Sequence, residues 1–449
     1  MERVGRPSGA RRTGSWRTIA AVASGAALCG CATFSSTIQS TERSLAAQQP
    51  KLALLEFEKR VTPGRDRVLY LMNEGLLLRM IGDYDASTKA LEQAKGLVET
   101  LRAVSLREQA TSLLINDSAQ SYGGNEFEQV MIHTYLALNF LEQHRLEPAR
   151  VEALQVDVLL RQFAQETPDS PYTEDAFARY LNGIIYEERG EWSDAMIAYR
   201  KAYEAYRAQE DALGLALPET LKHDVIRLAD RMGLTEEAEG YRQSFGIKET
   251  LSTAALQDQG ELIFTLHSGL APIKREQSIT MTNPSTGRLI RLSLPTYQVR
   301  RQPVAYARLE IGDRSATTAR VENVDAIAVK TLEARMPALT ARALARMVAK
   351  DRIAREAGDR GGAQGLLGVA VNIANTLTER ADTRSWFTLP GQIHLARVPL
   401  PAGKHRGRIE LVHGEGHVLH SSDIEFVLNK GEKTYLSQHW IPPNLEVRP

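Results

Sequence analysis

Three histidines near the carboxyl terminus have the residue type and clustering that a metal site requires: His413, His417 and His420. Imidazole nitrogens are common zinc ligands, and a hairpin could bring the three rings together. Neighbouring residues of a strand alternate faces, however, so offsets of four and three residues do not place all three on one face. The segment also lacks the helix-borne His-Glu-x-x-His order of zinc hydrolases. We therefore predict a solvated cluster beside a turn, without a bound metal.

Basic side chains recur along a segment whose apolar pattern predicts a long helix. Arg342, Arg346 and Lys350 are four residues apart and therefore share one face of that helix. Such a stripe could contact an acidic protein or an anionic glycan. The alternative is the solvated charged face that most amphipathic helices carry.

A short segment after this helix groups an acid, an arginine and an indole: Asp382, Arg384 and Trp386. Bidentate hydrogen bonds and ring stacking from these side chains could bind a sugar or a peptide. The alternative is an interdomain strap, in which Trp386 and Phe387 are buried and Asp382 pairs with Arg384. We favour the strap, and we keep the three residues, with the basic stripe, as candidate binding residues.

Composition and missing motifs exclude several classes of function. The 449 residues include 55 basic and 55 acidic side chains, a balance that argues against nucleic-acid binding. The glycine-rich run at 361–368 lacks the Lys-Ser/Thr ending of a phosphate loop, and the sequence contains no nucleophile elbow. We therefore predict no catalytic residues, no cofactor and no enzyme activity.

Residues 1–30 predict a secretory signal, since five arginines precede the apolar run Ile19–Leu28. The sequence Leu28-Cys29-Gly30-Cys31 resembles the bacterial lipobox, which implies cleavage before Cys31 and attachment of diacylglycerol to its sulfur. In that resemblance, Ala32 favours the outer membrane, with the protein facing the periplasm. Both cysteines of the chain lie in this segment. The rest of the chain has no thiols, which suits an oxidising compartment. The alternatives are an ordinary cleaved signal with two incidental cysteines and a basic tail that is not secreted.

Beyond a polar tether at residues 31–40, residues 41–249 have apolar side chains at spacings of three and four, which predicts paired amphipathic helices. Two segments of this region carry matching residues at identical offsets. The first contains Gly75, Gly82, Tyr84, Ser87, Leu91 and Ala94, and the second contains Gly183, Gly190, Trp192, Ala195, Tyr199 and Ala202. Weaker copies begin at Ala137 and Ile226.

These offsets resemble those of tetratricopeptide repeats. In that motif the first glycine lets two helices approach closely, and the second takes the left-handed conformation that ends the first helix. The aromatic residue two positions later lies between the helices, and the small residues that follow form the helix–helix contact. The resemblance implies a superhelix with a concave groove for a protein or peptide. A generic helical bundle is the alternative.

Together with the lipobox, these repeats and the segment Asp382–Pro390 resemble an uncharacterised family of bacterial outer-membrane lipoproteins with tetratricopeptide-like helical repeats. The resemblance covers most of the chain and brings no established activity. Relatives encoded beside lipoprotein activators of peptidoglycan synthases point to work on the cell wall.

Residues 250–449 predict a mixed α+β domain with its own core, ending in a small antiparallel sheet. Two predicted helices, Asp325–Glu356 and Leu366–Glu379, divide two groups of strands, and Pro337 is a potential break in the first helix. The predicted strands are Glu261–His267, Leu289–Leu294, Val304–Ile311, Ala316–Val321, Gln392–Val398, Gly407–His413, Ile424–Leu428 and Lys433–His439.

The sequence thus predicts an α+β multidomain protein, an all-α tetratricopeptide-like superhelix followed by a mixed α+β domain. We expect a lipid-anchored scaffold or accessory factor for peptidoglycan or polysaccharide assembly. Its partners would be envelope proteins, with cell-wall glycan as a further candidate. The alternative is an envelope hydrolase or glycan-binding enzyme subunit that uses the histidines of the carboxyl-terminal sheet.

Overall fold

A computed structural model describes residues 34–61, 63–108, 120–167, 170, 172–282, 289–358 and 380–447. The predicted signal sequence, Cys31, the glycine-rich run at 361–368 and the predicted helix Leu366–Glu379 lie outside the described residues. Within the described ranges, no helix has both the length and the apolar character needed to cross a membrane.

The first half of the described chain is helical. Its helices are α1 (Phe34–Thr37), α2 (Gln39–Ala46), α3 (Pro50–Arg60), α4 (Arg67–Met80), α5 (Tyr84–Glu108), α6 (Glu126–Glu142), α7 (Leu146–Glu166), α8 (Ala176–Glu188), α9 (Trp192–Leu213), α10 (Glu219–Arg231), α11 (Thr235–Phe245) and α12 (Thr253–Gln257). The expected polar tether is therefore helical from Phe34 onward. The reason is tertiary packing, since Ile38 is buried and the Phe34 ring packs edge-on against Phe387.

Four helical hairpins follow one another: α4 with α5, α6 with α7, α8 with α9, and α10 with α11. The turn of each hairpin has one central residue in the left-handed region, with φ of 83° at Gly82, 55° at His144, 74° at Gly190 and 73° at Gly233. In each turn the last carbonyls of the first helix accept backbone hydrogen bonds from the central residue and its successor. This is the Schellman arrangement, and it ends the first helix so that the chain reverses.

The glycines at the start of the two strong repeats lie where the paired helices touch. A Cβ at Gly75 would be 2.8 Å from Leu91, and one at Gly183 would overlap the Tyr199 ring. The repeat aromatics are half-buried, and Trp192 is covered by the Arg231 guanidinium at 4.3 Å from the ring centre. The small residues of the repeats are buried at the same contacts: Ser87, Ala94, Ala195 and Ala202.

The second half contains three sheets and one long helix. The elements are β1 (Gly260–Ser268), β2 (Ile273–Thr282), β3 (Leu289–Gln298), β4 (Val304–Ile311), β5 (Arg314–Thr317), β6 (Ala319–Glu322), α13 (Val324–Gly358), β7 (Gln392–Leu400), β8 (Gly403–His413), β9 (Val418–Leu428) and β10 (Lys433–Trp440). The strand orders are β10-β1-β7-β6, β2-β3 and β5-β4-β8-β9.

Four details of the prediction are corrected. The segment predicted as Ala316–Val321 forms two strands in different sheets, and α13 continues through Pro337. Strand β2 was not predicted, because its polar sequence lacks a regular apolar alternation. The last strands do not form their own antiparallel sheet: β10 lies parallel to β1, while β8 and β9 join β4.

The sheet that contains β1 is buried on both faces. Leu262, Phe264 and Leu266 pack against the β5-β4-β8-β9 sheet, and the alternate residues, including Ile263, face the helices. One continuous core therefore joins the helical half to this sheet, in place of the separate cores expected from the sequence.

The inner helices α4, α6, α8 and α10 are the ones that this sheet covers. Arg79 of α4 donates to Ser437 of β10 at 2.9 Å, and Tyr135 of α6 lies 3.1 Å from Nδ1 of His267 in β1. The groove expected to bind a partner is therefore filled by the chain's own sheet. This explains why nearly every residue of α6 is buried.

Several buried charged side chains contact one another at the boundary between the helices and the sheet, with Arg397 of β7 at their centre. Its guanidinium donates to Asp224 of α10 at 2.7 Å, to Glu261 of β1 at 2.7 and 2.9 Å, and to Glu187 of α8 at 3.2 Å. Arg227 completes the network by bridging Asp224 and Glu187. All five side chains are buried, so each depends on the others for the hydrogen bonds that water would otherwise supply.

We expect Arg397→Ala to lower the free energy of unfolding by about 3–5 kcal/mol, because it leaves buried carboxylates without a partner. Arg406→Ala is the matched control, since Arg406 forms an exposed pair with Glu425 that contributes at most about 1 kcal/mol. Denaturant unfolding of the two variants measures the difference. Equal losses of stability would mean that the network does not hold the two halves together.

Candidate functional site

Members of both groups of candidate binding residues line one cavity. This cavity, here called the α13 cavity, encloses about 200 Å³ beside helix α13 and strand β3. Arg342 and Arg346 reach it from α13, and Asp382 and Arg384 reach it from the segment before β7. Two hypotheses that were separate in the sequence thus concern one site.

The orientation of α13 differs from the expected one. Arg346 is only 4% exposed, whereas the apolar side chains of Leu344 and Val348 are exposed. The expected basic stripe is therefore not one continuous face, because Arg342 is exposed and Arg346 is buried in the protein. Lys350 lies on the same helix, and its side chain is outside the described part of the structure.

Asp382 and Arg384 form a bidentate ion pair. Nε of Arg384 donates to Oδ1 of Asp382 at 2.9 Å, and Nη2 donates to Oδ2 at 2.8 Å. Nη1 donates to Asp66 at 2.6 Å and to the Gln120 carbonyl at 2.7 Å. Burial tends to raise the pKa of Asp382, but the hydrogen bonds and charge of Arg384 outweigh it and lower that pKa. The pair ties the segment to the helical half and shapes one wall of the cavity.

Trp386 does not line a binding surface. Its side chain is 1% exposed and packs against Tyr135 at 6.1 Å between ring centres. Its backbone N–H donates to the Glu128 carboxylate of α6 at 2.8 Å. The hypothesis that Trp386 stacks on a ligand is therefore wrong, and the strap is the arrangement found.

The three candidate histidines separate in space. His413 and His417 lie at the β8–β9 turn with ring centres 4.5 Å apart, and His420 lies farther along β9, opposite Leu411. Possible ligand atoms of His413, Glu415 and His417 lie within 4.8 Å of one another. Two imidazoles and one carboxylate could bind a divalent ion, but Glu415 and His417 are exposed at a turn, and His420 is not part of the group.

The structure adds basic residues that the sequence analysis missed. Lys274 of β2, Arg335 of α13 and Arg380 also line the α13 cavity. Lys274 belongs to the run Lys-Arg-Glu-Gln, which has the composition of an exposed strand, so no local pattern marks it as buried. Arg397 could have been noticed, because an arginine and a histidine interrupt an otherwise apolar predicted strand.

Comparisons with known proteins found only distant similarity. No protein-family model matches the chain, and no sequence match to a curated protein was found. A crystal structure of MamA superposes with a TM-score of 0.29 and 13% identity, covering 45% of this chain and 90% of MamA. The apo form of RapI gives a TM-score of 0.35 and 12% identity, covering 51% of this chain and 56% of RapI. Structural similarity with TM-scores this low supports no conclusion about function.

Three of the described histidines, His267, His394 and His439, have strongly lowered pKa values. His394 lies on β7 opposite Leu266, and burial and the charge of Arg320 lower its pKa to about 3. His439 of β10 stacks on His267 with ring centres 4.4 Å apart, and burial and the charge of Arg79 lower its pKa to about 3. Burial and the charge of His439 lower the pKa of His267 as well. All three rings are therefore neutral in the folded protein at neutral pH.

We expect these rings to make the protein sensitive to acid. Unfolded histidine has a pKa near 6.5, so the unfolded chain binds protons that the folded chain excludes, and stability falls as the pH drops from about 6.5 towards 3. Each ring should lower the free energy of unfolding by about 2 kcal/mol between pH 7.5 and pH 5.

His394→Leu should remove one such contribution, and His420→Leu, which replaces a histidine at an exposed position of β9, is the matched control. The measurement is denaturant unfolding of the wild type and both variants at pH 7.5 and pH 5. If the His394→Leu curve runs parallel to the wild type over this range, His394 does not titrate as we infer.

Proposed function

We propose that this protein is a non-enzymatic scaffold or accessory factor for a cell-envelope machine, with peptidoglycan or polysaccharide assembly as the process it serves. The lipobox-like sequence at Cys31 supports an acyl anchor in the outer membrane and a body in the periplasm. The stacked hairpins support a binding role, because such arrays present extended surfaces to partners.

The occupied inner face directs partner binding to the outer helices. Helix α7 carries two apolar faces on opposite sides. The inward residues, spaced by three and four, pack in the core: Ala149, Ala153, Val156, Leu160 and Phe163. The opposite side presents Val151, Leu154 and Val158, which are 44%, 40% and 49% exposed. We call these three residues the α7 stripe.

An outer face of a surface helix is ordinarily polar, so the α7 stripe is the observation that carries the proposal. A groove of about 300 Å³ adjoins it, and Val158 lines this groove together with Arg102, Ile132 and Gln155. An apolar stripe with a charged and polar rim has the composition of a protein docking surface.

Replacing Val151, Leu154 and Val158 with serine should weaken partner binding without unfolding the chain, because these side chains are already exposed. Crosslinking and capture of the tagged, membrane-extracted protein would measure the envelope proteins that co-purify. We expect at least a tenfold loss of the captured partner, since the burial of three such side chains stabilises an interface by more than the ~1.4 kcal/mol that a tenfold change in affinity requires.

The matched control replaces the exposed Leu52 and Leu55 of α3 with serine. Retention of the partner by this control and its loss from the α7 variant would support the proposal. Equal capture by the wild type and the α7 variant would refute a role for the stripe in scaffolding.

We expect Cys31→Ser to release the protein from the outer-membrane fraction into the soluble periplasmic fraction, because two or three acyl chains are needed for stable anchoring. Cys29→Ser is the control and should remain in the membrane fraction. Fractionation on a density gradient, followed by immunodetection, measures how much of each variant is in the outer-membrane and soluble periplasmic fractions. A Cys31→Ser protein that still sediments with outer membranes would contradict the lipid anchor.

A further inference from the structure

The described lining of the α13 cavity is rich in basic side chains. Among the described residues that line it, six are basic and Asp382 is the one acidic residue. The basic residues come from β2, from α13 and from the segment before β7: Lys274, Arg335, Arg342, Arg346, Arg380 and Arg384. Such a concentration of cations in a concave space attracts anions.

Lys274 is the buried cation of this group that lacks a partner within the described part of the chain. The residue is 6% exposed, and its Nζ lies 5.3 Å from the centre of the Tyr297 ring. Among the described residues, its ammonium group makes neither a hydrogen bond nor an ion pair. Burial lowers the pKa of Lys274, and the charges of Asp382 and Glu128 only partly oppose that effect. A buried ammonium group without a hydrogen bond is costly unless a ligand supplies the acceptor.

The carboxylates near the cavity are already engaged by other groups. Asp382 is held by Arg384 in the bidentate pair described above. The Glu128 carboxylate accepts hydrogen bonds from the Tyr122 hydroxyl at 2.5 Å, the Asn125 backbone at 2.7 Å and the Trp386 backbone at 2.8 Å. Among the described residues, neither acid forms an ion pair with Lys274, although the charges of both act on it. A hydrogen-bond acceptor for the ammonium group can therefore come from a ligand.

The larger cavity beside Arg397 provides a contrast. It encloses about 460 Å³, but its buried charges, Arg397, Arg227, Asp224 and Glu261, are paired with one another or with Glu187. Burial and charge are therefore balanced there, and no ligand is needed to complete the arrangement. In the α13 cavity, by contrast, Lys274 has no ion-pair partner among the described residues.

We propose that the α13 cavity binds a phosphate group, carried either by a small phosphorylated molecule or by a lipid head group. The phosphate oxygens would accept from Lys274 and from the α13 guanidinium groups, which can form bidentate bonds to a tetrahedral anion. Leu294, Pro295 and Leu339 line the same cavity and offer an apolar wall to the organic part of the ligand. This site is independent of the α7 stripe.

The test is titration calorimetry of the purified full-length chain with inorganic phosphate at low salt. We expect saturable binding that weakens at least tenfold in Lys274→Met. Lys330→Met is the matched control, because Lys330 is exposed on α13 and does not line the cavity, and its affinity should stay within twofold of the wild type. Arg342→Gln, at an exposed lining position, provides a second variant if Lys274→Met does not fold.

Two further arms separate the sources of the phosphate. Glucose 1-phosphate tests a small phosphorylated molecule, and vesicles of phosphatidylglycerol, compared with vesicles of phosphatidylcholine, test a lipid head group with the Cys31→Ser chain. Binding in either arm that weakens in Lys274→Met supports the proposal and identifies the source. Absence of phosphate binding, or binding that is equal in Lys274→Met and the wild type, overturns it.

Discussion

Arg397 lies where two helices and two strands meet, and its position decides how the two halves of the chain are joined. A sheet face that carries Arg397, Glu261 and His267 cannot be buried against an apolar surface without a large loss of hydration free energy. The inner helices supply the matching groups, with Glu187 and Asp224 facing the guanidinium. The buried charges therefore specify one way of packing the sheet on the helices, and the apolar side chains around them supply the driving force.

This packing changes what the helical hairpins can do. In an isolated array of hairpins, the inner helices would be free to bind a partner. Here α6 and α8 are covered by the chain's own sheet, and their polar side chains are used to hold it. The surfaces left for function are the outer helices, where the α7 stripe is exposed, and the α13 cavity, where the described charged lining residues are mostly basic. The two surfaces suit ligands of different chemistry, one apolar and one anionic.

The hairpins were predictable because their determinants are local. Each turn needs a residue that tolerates positive φ, and this residue follows the close contact between the paired helices by a fixed number of positions. Gly82 follows Gly75, and Gly190 follows Gly183, at this same spacing. The same offset from Ala137 leads to His144 in the weaker copy, and His144 takes the left-handed conformation, although histidine is not the usual residue there. Most strands were also predictable, since a strand buried on both faces is a short apolar run between turn residues. Strand β2 was missed because its polar residues face the cavity and solvent.

By itself, the sequence determined the helical hairpins and most of the strands, and it contains the Cys31 segment that predicts an acylated protein. Those features depend on residues within about one helical turn or one strand of each other, so their spacing is enough to predict them. Tertiary structure alone decided that β10 runs beside β1, that the sheet fills the inner face of the hairpins, and that Trp386 packs against Tyr135 of α6. It also decided that Lys274 lines the same cavity as the arginines of α13. These contacts join residues far apart in the chain, and their energies come from burial and charge pairing, which no local pattern records.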